Sequence, residues 1–176
     1  MVWNAPTNGS CLISIISGAS LLPIKTFELI VESTPLVSID LVVRAPEGKI
    51  LLGKRVNRPA QGYWFVPGGR ILKDESFKLT FKRLLDVELA LRSEDLSISP
   101  LGIYQHFYPD NFSEGKFGTH YVVLAYEISL SNIPSSLPNV QHSDYKWFEE
   151  DELLQSHEVH DHTKWYFMKS NQADAF

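Results

Sequence analysis

The sequence predicts an α+β fold, a mixed β-sheet sandwich flanked by helices. Three observations lead there. Several short stretches rich in Val and Ile are separated by turn residues, which is the pattern of paired strands. One amphipathic helix interrupts them in mid-chain, from about Glu75 to Leu91. Further helical stretches stand near both ends, so strands and helices segregate rather than alternate regularly.

Taken in order, Lys25–Ser33 reads as a short helix after Pro23. Leu36–Arg44 alternates and is rich in Val and Ile, and Lys49–Gly53 is a second short strand. Pro46-Glu47-Gly48 is a turn signal between them, so 36–53 is expected to form a hairpin. Asn57–Gly62 is a loop, and Tyr63–Val66 a strand ended by Pro67-Gly68-Gly69. Asp74 is the expected N-cap of the helix that follows. Ile98–Tyr108 and Thr119–Ile128 alternate and should pair across the loop Pro109–Gly118. Asn132–Asp144 is a Pro- and Ser-rich loop, Tyr145–Phe148 a last strand, and helices near Glu149–Gln155 and His160–Lys169 complete the series.

With 176 residues the chain is most simply one domain, expected over 21–176, with 1–20 an N-terminal extension. The net charge is −5 with no block of like charge, which argues against a general nucleic-acid binder, though not against a nucleotide substrate. The single cysteine, Cys11, permits no disulfide within the chain and fits a cytoplasmic setting. The long apolar run, residues 11–24, is too short to span a bilayer, so no membrane association is expected.

Two clusters carry chemistry. Residues 84, 87 and 88 of the mid-chain helix share one face by steps of three and four. Three carboxylates there would hold two or more hard cations, but the residues are Leu84, Val87 and Glu88. A site resting on Glu88 alone needs oxygen donors from elsewhere. Around the helix stand four arginines, Arg55, Arg58, Arg70 and Arg83, the side chain suited to bidentate phosphate contact. Arg83 has an equally simple structural role as an ion-pair partner of Glu75. The second cluster is Gln141-His142, before the last strand: Gln141 has the amide oxygen that Glu88 needs beside it, and His142 is suited to proton transfer near neutral pH. The plain reading of a loop histidine is a solvated side chain. His106 and His120, alternating with Phe107 and Tyr121 on the paired strands, read most simply as residues of a wet sheet face.

Gly69, Glu75 and Arg83 keep the spacing of the Nudix signature, which normally continues with carboxylates at the positions of Leu84 and Val87 as well as Glu88. The strings STPLVSID (33–40), LLGKRVNRPAQGYWFVPGGR (51–70), QHFYPDNFS (105–113), THYVVL (119–124) and QHSDY (141–145) resemble the GDP-mannose mannosyl hydrolase family of atypical Nudix enzymes. The likeness covers roughly 21–168 and includes the two carboxylate gaps. Ala90 departs from it, standing where the signature ends in glycine.

That resemblance implies a Nudix-type fold and Mg2+-dependent hydrolysis of a GDP-sugar, GDP-mannose or GDP-glucose, to GDP and free sugar with inversion at the anomeric carbon. It implies one magnesium ion per active site, held by the Gly68 carbonyl, Glu88 and Gln141, and makes His142 the general base. Arg55, Arg70 and Arg83 fall near the diphosphate. Leu21, Leu22 and Phe27 match a segment that contacts the nucleotide, and the resemblance implies a homodimer. Asp40, His106 and Tyr121 fall near the sugar or diphosphate. The chemistry agrees: metal and arginines neutralise a departing diphosphate, and one base behind the sugar gives inversion without a covalent intermediate. A conventional Nudix pyrophosphatase attacking phosphorus is disfavoured by the residues at 84 and 87. An inactive nucleotide-sugar sensor is disfavoured by retention of Glu88, Gln141, His142 and the arginines.

Overall fold

The structure, a computed structural model, describes residues 22–91, 96–138 and 142–168. The expected extension over 1–20, Leu21 and Gln141 lie outside them. The elements in chain order are α1 (Ile24–Ser33), β1 (Leu36–Arg44), β2 (Ile50–Arg55), β3 (Trp64–Phe65), β4 (Gly68–Arg70), α2 (Phe77–Leu89), β5 (Ser97–Tyr108), β6 (Thr119–Ser129), β7 (His142–Phe148), α3 (Glu150–Gln155), α4 (Asp161–Lys164) and a 3-10 turn (Trp165–Phe167).

The seven strands form one mixed sheet, ordered β3-β2-β1-β6-β5, with β4 added against β1 and β7 against β2. The hairpin of β1 and β2 meets at Arg44 opposite Ile50. β1 runs parallel to β6 along its whole length, from Leu36 opposite Tyr121 to Arg44 opposite Ser129. The other pairings are antiparallel, and β5 and β6 pair as expected, His106 facing Tyr121.

Helices cover both faces of this sheet, and that explains β1. A strand between two apolar layers has no wet side, so β1 is buried almost throughout rather than alternating. Ile39, Leu41, Val43 and Leu51 pack with Leu84, Leu85 and Leu89 of α2 on one face. Val42, Ile50 and Leu52 pack on the other with Phe27 and Val31 of α1, Leu153 of α3 and Tyr166. Leu84, at a position where a carboxylate would ligate metal, is 1% exposed and belongs to the core.

Four expectations need correction. The N-cap of α2 is Ser76, whose hydroxyl accepts from the Leu79 amide at 3.4 Å, and not Asp74. Asp74 has a φ of 64°, a turn conformation incompatible with the extended backbone of an N-cap. Gly68–Arg70 is a strand and not only a turn, because Gly68 and Arg70 pair with Asp40 and Ser38 of β1. β7 begins at His142, so that residue is a strand residue and not a loop residue. The expected helix over His160–Lys169 is a four-residue α4 followed by the 3-10 turn, Met168 being extended.

Among the described residues no helix is long and apolar enough to cross a membrane.

Candidate functional site

The sheet brings six of the residues singled out above to one cavity: Asp40, Arg55, Gly68, Arg70, His106 and Tyr121. The register does this directly. Gly68 lies opposite Asp40, Arg70 opposite Ser38, and His106 opposite Tyr121. Gly68 fits because it has no side chain: a Cβ there would stand 2.6 Å from the Ile39 carbonyl and 3.0 Å from Asp40 Oδ1.

One end of the cavity is cationic. The Arg70 guanidinium lies 4.0 Å over the Phe27 ring, and its buried Nε has no hydrogen-bond partner. Burial lowers the Arg70 pKa and the neighbouring Tyr121 opposes that, but a guanidinium stays charged at any ordinary pH. A buried cation with an open donor is a receptor for an anion. Arg55 donates from Nε to the Pro59 carbonyl at 2.9 Å and lies over the Phe65 ring at 5.6 Å. Burial raises Tyr121 to about 12, so its phenol is protonated.

The rest of the cavity is polar and aromatic. Burial raises Asp40 to about 6 against the hydrogen bond from Tyr166 and the charge of Arg55. Its Oδ2 accepts from the Tyr166 hydroxyl at 2.7 Å. His106 is 1% exposed, so it does not sit on a wet sheet face. It stacks flat on His162, centroids 4.2 Å apart and 10° between planes, and its Nε2 lies 3.3 Å from the Tyr166 hydroxyl. Burial and the neighbouring His162 and His160 push His106 down to about 2. His120 stacks instead with the exposed Phe107, 4.3 Å between centroids.

Glu88 and His142 form a second group, joined to the first through β2, where His142 pairs with Arg55. Both are 2% exposed, and His142 Nδ1 stands 3.9 Å from Glu88 Oε2. The imidazole lies against the backbone of Gly53, where a Cβ would collide with the ring. Its Nδ1 is 3.0 Å from the Tyr145 hydroxyl, which faces the Pro138 carbonyl at 2.9 Å and the Glu88 carbonyl at 3.3 Å. Carbonyls only accept, and a phenol has one proton, so that proton goes to a carbonyl and His142 Nδ1–H donates to the phenol oxygen. Nε2 is then the bare nitrogen. Burial, and then the charge of Arg55, pushes His142 down to about 3 and keeps the ring neutral.

Among the described residues no three His, Cys, Asp or Glu side chains converge on a possible metal position. The oxygen donor of this group is a single buried carboxylate, Glu88. Hard oxygen donors of that kind suit magnesium completed by water, and a buried carboxylate facing a neutral imidazole is a place where a cation is favourable.

The remaining residues fall elsewhere. Arg83 is committed to Glu75 by two bonds of 2.7 Å and to the Arg70 carbonyl at 2.8 Å. Burial raises Glu75, but the bonds from Arg83, Leu72 and Thr80 outweigh it and hold the carboxyl below its ordinary range. The pair staples α2 to β4, the structural role foreseen for Arg83. Phe27 is buried beside Arg70 and Phe112, whereas Leu22 is 47% exposed. Sequence reasoning missed Tyr166, His162 and Tyr108; the run HDHTKWY (160–166), with two histidines and a tyrosine in seven residues, is the signal that was there.

A family model described as the NUDIX domain matches residues 34–169. The chain is 43% identical over 129 residues to the low-salt glycan biosynthesis protein Agl8 of Haloferax volcanii, covering 73% of this chain and 80% of that one. Its fold matches a MutT Nudix hydrolase from Burkholderia pseudomallei, with a TM-score of 0.61, 24% identity, and coverage of 79% of this chain and 100% of that one. It also matches the Nudix domain of Shewanella oneidensis NrtR, crystallised with ADP ribose, with a TM-score of 0.57, 24% identity, and coverage of 80% and 92%.

Proposed function

The chain belongs to the Nudix family, and on that premise we propose that it hydrolyses a GDP-sugar, GDP-mannose or GDP-glucose, by attack of water on the anomeric carbon. The observation that carries this reading is the residue pattern of α2. Leu84 is spent on the core, and Glu88 is the one carboxylate among positions 84, 87 and 88, with the neutral His142 beside it. Such a site supports one cation and one base, not a metal cluster that makes hydroxide for attack on phosphorus. The name of the 43%-identical relative fits, since glycan assembly consumes activated sugars.

Glu88, the Gly68 carbonyl and Gln141 would hold one magnesium ion per active site, whose charge eases departure of the diphosphate. Arg70 and Arg55 bind and orient the diphosphate, Arg70 through its open Nε. His142 takes the proton of the attacking water at Nε2, while Nδ1–H is held by Tyr145. Attack opposite to GDP inverts the anomeric carbon, so an α-linked mannose leaves as the β-anomer. Asp40, His106 and Tyr121 receive the sugar, and Phe27 with the segment from Leu21 contacts the nucleotide. A cytoplasmic homodimer acting on no nucleic acid completes the reading.

Hydrolysis in heavy-oxygen water tests it. The label is expected in mannose and absent from GDP. Label in phosphate, or formation of GMP and mannose 1-phosphate, would show attack at phosphorus and a conventional Nudix reaction.

A further inference from the structure

We propose that Tyr166 is a positioning residue whose hydroxyl ties Asp40 to His106 and holds both in the orientation that receives the hydroxyl groups of the sugar. This rests on the GDP-sugar reading above. Asp40 is on β1 and His106 on β5, and β6 lies between them in the sheet, so no backbone ladder sets one against the other. Tyr166 reaches across that face from the 3-10 turn. Its hydroxyl is 2.7 Å from Asp40 Oδ2 and 3.3 Å from His106 Nε2.

The proton count fixes the direction of the chain. A distance of 2.7 Å suits a hydroxyl donating to an ionised carboxylate. A phenol has one proton, so the contact with His106 runs the other way, Nε2–H donating to the Tyr166 oxygen. His106 is thereby held in the Nε2–H tautomer with Nδ1 bare as an acceptor. The flat stack on His162 and the edge contact with Phe65, 6.2 Å between centroids, fix the plane of the ring. Asp40 keeps Oδ1 beside Gly68 on the cavity wall. A carboxylate oxygen and a bare imidazole nitrogen are acceptors, and a neutral sugar ring presents hydroxyl donors. A site built to hydrogen-bond hydroxyls loses much of its selectivity when its acceptors turn away.

Tyr166→Phe removes the hydroxyl and leaves the ring on Tyr104, where the centroids are 4.8 Å apart at 90°. In this variant kcat/KM for GDP-mannose should fall about 10- to 100-fold, while the calorimetric Kd for GDP stays within about twofold. Nitrogen-correlated NMR of the substrate-free full chain should show neutral His106 protonated at Nε2, and Tyr166→Phe should release that preference. Unchanged kcat/KM, or equal losses of GDP affinity and turnover, would overturn the proposal, the second outcome marking a merely structural side chain. A wild type that turns over neither GDP-mannose nor GDP-glucose sinks the GDP-sugar reading alone. The wild-type tautomer then still decides the tie, since His106 protonated at Nδ1 overturns it.

Discussion

At the scale of single residues, packing sets the position of the His142 ring and burial keeps it neutral. Its ring is laid on Gly53, and β2 cannot retreat there, because Gly53 pairs with Phe65 on one side and Tyr145 on the other. Gly53→Ala therefore pushes the imidazole off its position. The expected result is at least a tenfold fall in kcat with the Kd for GDP nearly unchanged, read by steady-state kinetics beside calorimetry. His142→Ala should cost more, about 10²–10⁴-fold in kcat. The functional candidates at this scale were readable where a short pattern carries them. Gly69, Glu75 and Arg83 stand at fixed spacing, and the structure places Glu75 and Arg83 in one ion pair. Whether Arg83 would meet phosphate or Glu75 was not readable, because both outcomes need the same residue at the same spacing.

At the scale of elements, α2 ends with a residue in an unfavourable conformation. Ala90 has a φ of 53°, the left-handed cap position that glycine occupies without a Cβ clash. Its amide donates to the carbonyls of Asp86 and Leu85, so the cap geometry is maintained despite the side chain. Ala90→Gly should raise unfolding stability by about 1 kcal/mol, measured as a higher denaturant midpoint with unchanged slope. Most element positions were legible from periodicity, and β1 and the β5–β6 pair match closely. The short ones were not. β4 is three residues of which two are glycine, so no apolar alternation marks it. The start of β7 is His-Ser-Asp, polar residues that read as loop until Arg55 is seen across from them.

At the scale of the whole molecule, the histidine stack makes stability depend on pH. Free histidine takes up a proton as pH falls through about 6.5. In the folded chain burial holds His106 to about 2 and His162 to about 3, so both stay neutral. The stability they allow is present above pH 6.5 and is lost as pH falls below it. Asp40 acts in the opposite sense, since its folded pKa of about 6 lies above the 3.8 of the free group. His142 is held to about 3 as well, so three histidines against one carboxyl leave a net gain of two protons on unfolding between about pH 6 and 4. Stability should then fall by about 2.7 kcal/mol per pH unit, and His162→Asn should cut that slope to about half. Denaturant midpoints at pH 7, 6 and 5 measure both.

The Asp40–Tyr166 bond joins residues 126 positions apart, which no local pattern in the sequence could announce. It also orders events during synthesis. The ribosome releases Asp40 early, and the strands that will flank it, β4 and β6, follow while residue 166 is still inside the exit tunnel or not yet added. A nascent chain can therefore assemble the sheet around a carboxyl that has no phenol to meet it. The cleft lined by Asp40 and His106 is finished only when the last helical turns emerge. A chain interrupted shortly before Tyr166 would keep most of the core and lack the hydroxyl that ties Asp40 to His106.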